Sequence, residues 1–398
     1  MGVLRWLRVF GLLTAVVAGR GVAAAEPVRI GIDAEFGLLG STSAQAIERG
    51  AAVAVAEINA SGGVLGGRPL ELVVRDNRSV PARSRENLTE LAALPDLVAV
   101  FCGRFSPVVL ENLDVVHQLG VILLDPWASA DGITENGRQP SYVFRLSLRD
   151  RWAMPVMMRH AKAKGASRIG VLAPNTGWGR SGVAAVERNA GPGMPGVAGV
   201  AWYNWGDKSL ARPYVDLLRA GAQAVLFIAN DTEAAVLLRE VAAMPEAERL
   251  PLIMHWGVTG GTLAQQAGDI MDRLDLSVVQ TFSFLNAEPR KVARFLDLWA
   301  ARHGPTRPED IVAPVGVAHA YDLTHLLARA IDQAGSTDRA QVRAALERLR
   351  EHDGLVRRYA PPFTVVDHDA LRAENVFMAV PRPDGTIVPL PRNQGGAR

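Results

Sequence analysis

IGIDAEFGLLGSTSAQAIERGAAVAVAEINASGGVLGGRPLELVVRD, running from Ile30 to Asp76, reads as strand, glycine-rich loop, amphipathic helix, glycine turn and strand. The apolar run Val28 to Ile32 suits a buried parallel strand. The loop Gly37 to Ser43 then delivers Ser41, Thr42 and Ser43 to a helix start, where free N–H groups can hold an anion or a polar ligand head. Glu57-Ile58-Asn59 closes the helix before Ser61-Gly62-Gly63, and Gly66-Gly67-Arg68-Pro69 leads into the strand Leu70 to Val74. A strand, a crossover helix and a second strand form the unit from which parallel sheets are built.

Outward from this unit the same grammar repeats. Leu70 to Val74 precedes a helix over Arg83 to Leu94, Val98 to Phe101 precedes one over Pro107 to Leu119, and Val121 to Leu124 runs into the Asp125-Pro126 break. Tyr142 to Leu146 is a further extended run, and the polar Ser147 to Asp150 suits a crossing into a second lobe. There Arg168 to Leu172 is followed by the loop Pro174 to Gly179 and a helix from Ser181. Val197 to Trp202 leads to a helix over Leu210 to Ala220, and Ala224 to Ile228 to one over Thr232 to Ala243. Leu252 to His255 and Val278 to Phe282 complete that lobe around the turn Gly257 to Gly261. From Pro289 the pattern is helical over Pro289 to His303, Val315 to Ala334 and Arg339 to Arg350, with Asp338 as N-cap of the last. The tail holds the extended run Phe363 to Val366, and a hairpin of Val376 to Val380 and Thr386 to Leu390 turned at Arg382-Pro383-Asp384-Gly385. No low-complexity linker separates the halves, so the chain is expected to cross between them more than once.

Length and charge narrow the class. Arg5 and Arg8 precede the apolar run Val9 to Ala18, and Ala23-Ala24-Ala25 offers a small-residue cleavage site, so residues 1–25 read as a secretory signal and the mature chain as periplasmic. That run is shorter than the roughly 20 residues a membrane-spanning helix needs. Cleavage removes three arginines and no acids, taking the formal charge from +2 to −1. Such a near-neutral chain does not suit nucleic acid. Its length suits two α/β lobes of roughly 150 to 200 residues each. Cys102, the single cysteine of the sequence, has no internal disulfide partner and reads as a small buried hydrophobe.

Ligands of such sheets sit beyond the carboxyl ends of the strands, so the residues that follow each strand are the site candidates. Arg104, Phe105 and Ser106 follow one strand. Arg104 suits a bidentate pair with a carboxylate, and Ser106 suits either a helix cap or a ligand contact. Trp127, Ala128 and Ser129 follow the next, in a loop whose small residues would let backbone groups approach a ligand head. In the second half Trp178, then Asn230 and Asp231, then Trp256 occupy equivalent places. One loop tryptophan is ordinary packing, but three at three strand ends would stack a ring or cage a quaternary ammonium. Trp202 and Trp205 read as edge packing, and Trp152 and Trp299 as core.

The arrangement from Ile30 to Asp76, together with these strand-end loops, resembles the periplasmic branched-chain amino-acid-binding (Leu/Ile/Val-binding) proteins, type I binding proteins of ABC transporters. The likeness covers nearly the whole mature chain. It implies two doubly wound parallel-sheet lobes joined by a multi-crossing hinge. The lobes are expected over residues 26–148 with 284–353, and over 149–283 with 354–398. It further implies a ligand head gripped by Gly103 to Ser106 and Pro126 to Ser129, a lid at Trp178-Gly179, and a permease in the inner membrane as partner of a monomeric protein. Where amino-acid-binding members place an acid before a glycine to meet the ammonium, this chain has Trp256-Gly257, which leaves Asp231 as a possible substitute. The family's serine cluster is replaced by Gly103-Arg104-Phe105, and Ser79 stands where its other disulfide cysteine would be. These departures point to a ligand with an acid group and a ring, ahead of branched-chain or aromatic amino acids. Micromolar capture requires about 8 kcal/mol, within reach of stacked rings and one charge-assisted pair.

Other classes find less support. The eight histidines form no His-Glu-x-x-His pattern, and His319 and His325 are spaced wrongly for one helical face. There is no Gly-x-Ser-x-Gly elbow and no phosphate loop, so neither an enzyme nor a cofactor is expected. A ligand-sensing receptor for a membrane signalling partner shares every feature of a transport component.

Overall fold

The computed structural model describes residues 25–391; the expected signal segment up to Ala24, and residues 392–398, lie outside the described residues. The first sheet holds β1 (Val28–Ala34), β2 (Leu70–Asp76), β3 (Leu97–Cys102), β4 (Ile122–Asp125) and β5 (Val143–Arg145) in the order β2-β1-β3-β4-β5. Every pairing in it is parallel. Helices α1 (Ser43–Ala60), α2 (Pro81–Ala92) and α3 (Ser106–Leu119) make the crossovers.

The chain then enters the second half through α4 (Asp150–Ala163). Its sheet begins with β6 (Arg168–Pro174), β7 (Gly196–Tyr203), β8 (Ala224–Phe227), β9 (Leu252–Met254) and β10 (Leu276–Gln280). These are joined by α5 (Gly177–Asn189), α6 (Ala211–Arg219), α7 (Asp231–Ala243) and the short α8 (Leu263–Ala267). After α9 (Pro289–His303), α10 (Pro314–Ala334), α11 (Arg339–Leu346) and the small pair β11 (His352–Asp353) and β12 (Arg358–Tyr359), the chain returns. It adds β13 (Phe377–Pro381) and β14 (Ile387–Pro389) to the same sheet, both antiparallel. The second sheet is ordered β14-β13-β10-β9-β8-β6-β7. Its five parallel strands therefore repeat the first sheet's topology, second strand outermost beside the first. Both halves are doubly wound, as expected, and three crossings join them.

Packing explains where the late helices go. α10 lies along α1, α9 also touches α1, and α11 meets β3. Gly50 permits the α1–α10 approach, because any side chain there would overlap the Val317 carbonyl. The expected Asp338 cap is present, its carboxylate accepting from Gln341 N at 2.9 Å. Cys102 is buried, as read, and burial pushes its thiol up.

Several local expectations are corrected. α4 was not foreseen; its buried Ala153, Met154, Met157, Met158 and Ala161 carry the three-and-four spacing, with Pro155 interrupting the run. The helix expected from Ser181 begins at Gly177, capped by Thr176 Oγ1 accepting from Gly179 N at 3.3 Å, so Trp178 lies in a first helical turn and not in a loop. Phe363 to Val366 joins neither sheet. Only Phe363 is buried, and Val365 and Val366 ride an exposed turn bridged between Thr364 and Asp367. Trp152 is half-buried under the Arg149 guanidinium instead of in the core.

Candidate functional site

Strand order reverses between β1 and β3 in the first sheet and between β6 and β8 in the second. At such switch points crossover helices leave on opposite faces and a crevice opens beyond the strand ends. Glu35 and Arg104 follow β1 and β3; Trp178 and Asp231 begin the helices after β6 and β8. The two crevices face each other.

On the first-lobe side, Glu35 is buried and accepts hydrogen bonds from Ser41 Oγ at 3.3 Å and from Ser43 Oγ. Its Oε1 stands 4.0 Å from Arg104 Nε. Gly103 leaves room for the Glu35 carboxylate, since a Cβ there would come within 2.1 Å of Oε2. Arg104 is 8 % exposed and lies over the Phe105 ring at 4.8 Å. Ser106 does not cap α3. Its hydroxyl instead accepts from Ser129 N and Ala130 N, each at 3.2 Å, tying two strand-end loops together. Asp125 shapes the second loop by accepting from Trp127 N at 3.0 Å and Ala128 N at 2.7 Å, and burial pushes its carboxyl up to about 7. The backbone amides of Trp127, Ala128 and Ser129 are thus engaged within the protein.

Trp127 is buried beneath α10, where Gly316 leaves room: a Cβ would come within 2.7 Å of the indole. His319 sits on the same helix, with Nδ1 2.9 Å from Pro126 O and Nε2 3.1 Å from Thr281 Oγ1. Burial pushes it down to about 4, so it is neutral at pH 7. Nδ1–H then donates to Pro126 O, and Nε2 accepts from Thr281 across the lobes.

From the second lobe, Trp256 meets Trp127 with ring centroids 5.6 Å apart and His319 at 5.8 Å. Trp178 presses its ring edge-on to His255 at 5.1 Å. Gly257 makes this possible, because a Cβ there would lie 2.6 Å from the Trp178 ring and 2.6 Å from Ala229 O. His255 Nε2 is 3.2 Å from Asp150 Oδ1, both groups fully buried. Asn230 is the N-cap residue of α7 without a side-chain cap bond. Asp231 Oδ2 accepts from Thr262 N at 3.1 Å and Gln266 Nε2 at 3.2 Å.

The lobes meet directly. Arg104 Nη2 donates to Asp231 Oδ1 at 3.0 Å and Nη1 to Gly257 O at 3.4 Å. Phe105 meets Trp205 edge-on at 5.4 Å, so Trp205 bridges the cleft and is not mere edge packing. The α1 amides expected to be free, Thr42 N and Ser43 N, donate to Gly260 O of the other lobe at 2.9 and 3.2 Å. Gly40, at φ +80°, lets the loop turn to make this approach.

All ten expected residues are buried in this region, with Arg104, Phe105, Trp127, Trp178, Asp231 and Trp256 joined by the contacts above. From the sequence Trp205 reads as edge packing, His255 and His319 take no site role, and Glu35 goes unread. Glu35 carried a usable signal, since it follows β1 as Arg104 follows β3. Buried polar atoms without a hydrogen-bond partner gather in the cleft: Arg104 Nε, Trp127 Nε1, Trp178 Nε1, Trp205 Nε1, Thr42 Oγ1, both ring nitrogens of His255 and both carboxylate oxygens of Asp150. Each such group ordinarily costs about 1–3 kcal/mol. Donors left over at facing strand ends are what a polar ligand head would use.

Two doubly wound lobes meeting at their switch points define a two-lobed small-molecule-binding protein. The description "Periplasmic binding protein" matches residues 27–377. The chain belongs to that family, in its type I branched-chain amino-acid-binding branch, whose members are substrate-binding components of ABC transporters. It is 25% identical over 340 residues to "Leu/Ile/Val-binding protein homolog 1" of Brucella abortus, covering 84% of this chain and 86% of that one. Among solved structures it resembles a branched-chain amino acid transporter substrate-binding protein from Streptococcus pneumoniae in complex with isoleucine. There the TM-score is 0.76 and the identity 22%, over 91% of this chain and 98% of the other. It also resembles a solute-binding protein from R. palustris in complex with 4-hydroxybenzoate, with TM-score 0.73 and identity 18%, over 92% and 96%.

Proposed function

We propose that this protein captures a ring-bearing or apolar carboxylate between its lobes, in the periplasm, and delivers it to an ABC permease without chemical change. The lobes are taken as residues 26–148 with 284–353, and 149–283 with 354–398. The observation that carries the reading is a buried guanidinium, Arg104, which reaches Gly257 O beside Trp178 and packs with Trp127 against Gly260, with its Nε and the Trp127 and Trp178 indole N–H groups unpartnered. The carboxylate would bind Arg104, and the rings would stack the body of the ligand as the lobes close by hinge rotation. Two fold neighbours hold isoleucine and 4-hydroxybenzoate, so the architecture accommodates either ligand type.

A second reading, an amino acid, draws support from Glu35 and Asp231. Two acids flank one guanidinium, and an ammonium would satisfy the surplus. A thermal-shift screen of the chain from Glu26 separates the two. A ligand at 100 times its dissociation constant stabilises by about 2.7 kcal/mol. Shifts with benzoates but not aliphatic amino acids are expected; the reverse result would return the protein to amino-acid capture.

A further inference from the structure

We infer that Asp231 is an internal competitor for Arg104: it occupies the guanidinium that an anionic ligand needs, latches the lobes together, and sets the sign of the ligand charge the cleft accepts. This rests on the reading of Arg104 as the carboxylate anchor.

Both partners are held in place independently of each other. Arg104 is backed by Glu35 on one side and the Phe105 ring on another. Asp231 is anchored through Oδ2 to Thr262 N and Gln266 Nε2 of its own lobe, leaving Oδ1 aimed at Arg104. Gly261 is packed against the Asp231 carboxylate so closely that no Cβ fits there. Fixed in this way, the carboxylate arrives at Arg104 when the lobes close on an empty cleft and departs when they part, keeping its own-lobe bonds throughout.

The charge count makes it a competitor and not a co-ligand. Arg104 already faces two buried carboxylates, Glu35 at 4.0 Å and Asp231 at 3.0 Å. A ligand carboxylate joining them would be a third anion about one cation, in a setting where desolvation magnifies repulsion. Glu35 belongs to the same lobe as Arg104 and cannot withdraw; Asp231 can. An incoming carboxylate therefore takes the Asp231 position, and the broken latch is subtracted from the ligand's apparent affinity, as for any binder that must displace a competing closed state. For a ligand presenting an ammonium the sign reverses, because Asp231 becomes its partner.

The test compares the parent chain from Glu26 with Asp231→Asn, which keeps shape and can still accept from Thr262, and with Arg104→Gln and the double variant. Without added ligand, small-angle scattering is expected to give a larger radius of gyration for both single variants, with no further expansion in the double. Calorimetric titration with benzoate and 4-hydroxybenzoate is expected to show Asp231→Asn binding at least threefold tighter than the parent. An unchanged radius in both single variants overturns the latch, whatever the ligand is. Weaker benzoate binding in Asp231→Asn overturns the competition. If neither parent nor variant binds a benzoate, the carboxylate reading fails, while the scattering result still decides the latch by itself.

Discussion

Arg104 and Arg145 stand at strand ends of the same sheet, and both are buried against aspartates from distant parts of the chain. Arg145 has every nitrogen engaged: Nε donates to Asp369 at 2.6 Å, Nη1 to Ala130 O at 2.9 Å and Nη2 to Thr134 Oγ1 at 2.6 Å. Asp369, on the last crossing between the lobes, also receives Arg149 Nη1 at 2.9 Å and Thr134 Oγ1 at 3.0 Å. Arg104, by contrast, faces two acids and leaves Nε without a partner. A saturated guanidinium at a crossing fixes chain paths relative to one another. An under-satisfied one between two lobes is suited to exchange partners.

The comparison breaks most readily at Arg145. Arg145→Met should leave Asp369 with Arg149 as its one remaining cation, at a place no solvent reaches, strand Ala130 O, and cost about 3 kcal/mol in denaturant unfolding. If it cost no more than Arg104→Gln, the distinction between the two sites would collapse. Arg104→Gln should change stability by less than about 1 kcal/mol, since opening the cleft hydrates Asp231 and Glu35. The same variant should lose about 2–5 kcal/mol of affinity for a carboxylate ligand in calorimetry. Next in size, Trp178→Leu should weaken ring-bearing ligands by about 2 kcal/mol and aliphatic ones by less, read from competition binding.

The smallest effect concerns pH. Asp125 is raised from its ordinary value to about 7 by burial, so the folded state holds its proton more tightly than the unfolded state. Its contribution is complete below pH 4 and is lost as pH rises through 7. Asp125→Asn can still accept from Trp127 N and Ala128 N through its amide oxygen. It should therefore flatten the fall in melting temperature between pH 4 and 7 relative to the parent, and an unchanged slope would show that Asp125 is not its source.

Much of this protein was legible in its sequence, because strand and helix periodicity and the residues after each strand are local properties. The doubly wound halves, the late helices and the strand-end positions of Arg104, Trp127, Trp178, Asp231 and Trp256 all follow from reading along the chain. α4 shows a limit, its apolar spacing interrupted by Pro155, and Phe363 to Val366 shows another, an apolar run left on an exposed turn. Glu35 was within reach but lacked a partner in the sequence, 69 positions before Arg104.

What the sequence could not supply is which strand ends face each other. It determined the family, the architecture of each lobe and a set of candidate residues, since these depend on composition and spacing within some tens of residues. Only the tertiary structure decided that Arg104 meets Asp231 across 127 residues, that Gly260 of one lobe answers the α1 amides of the other, and that Ser106 locks a neighbouring loop instead of capping its own helix. Those pairings depend on the angle at which two separately folded sheets meet, a quantity set by three crossings and a shared interface, with no local signature in the chain.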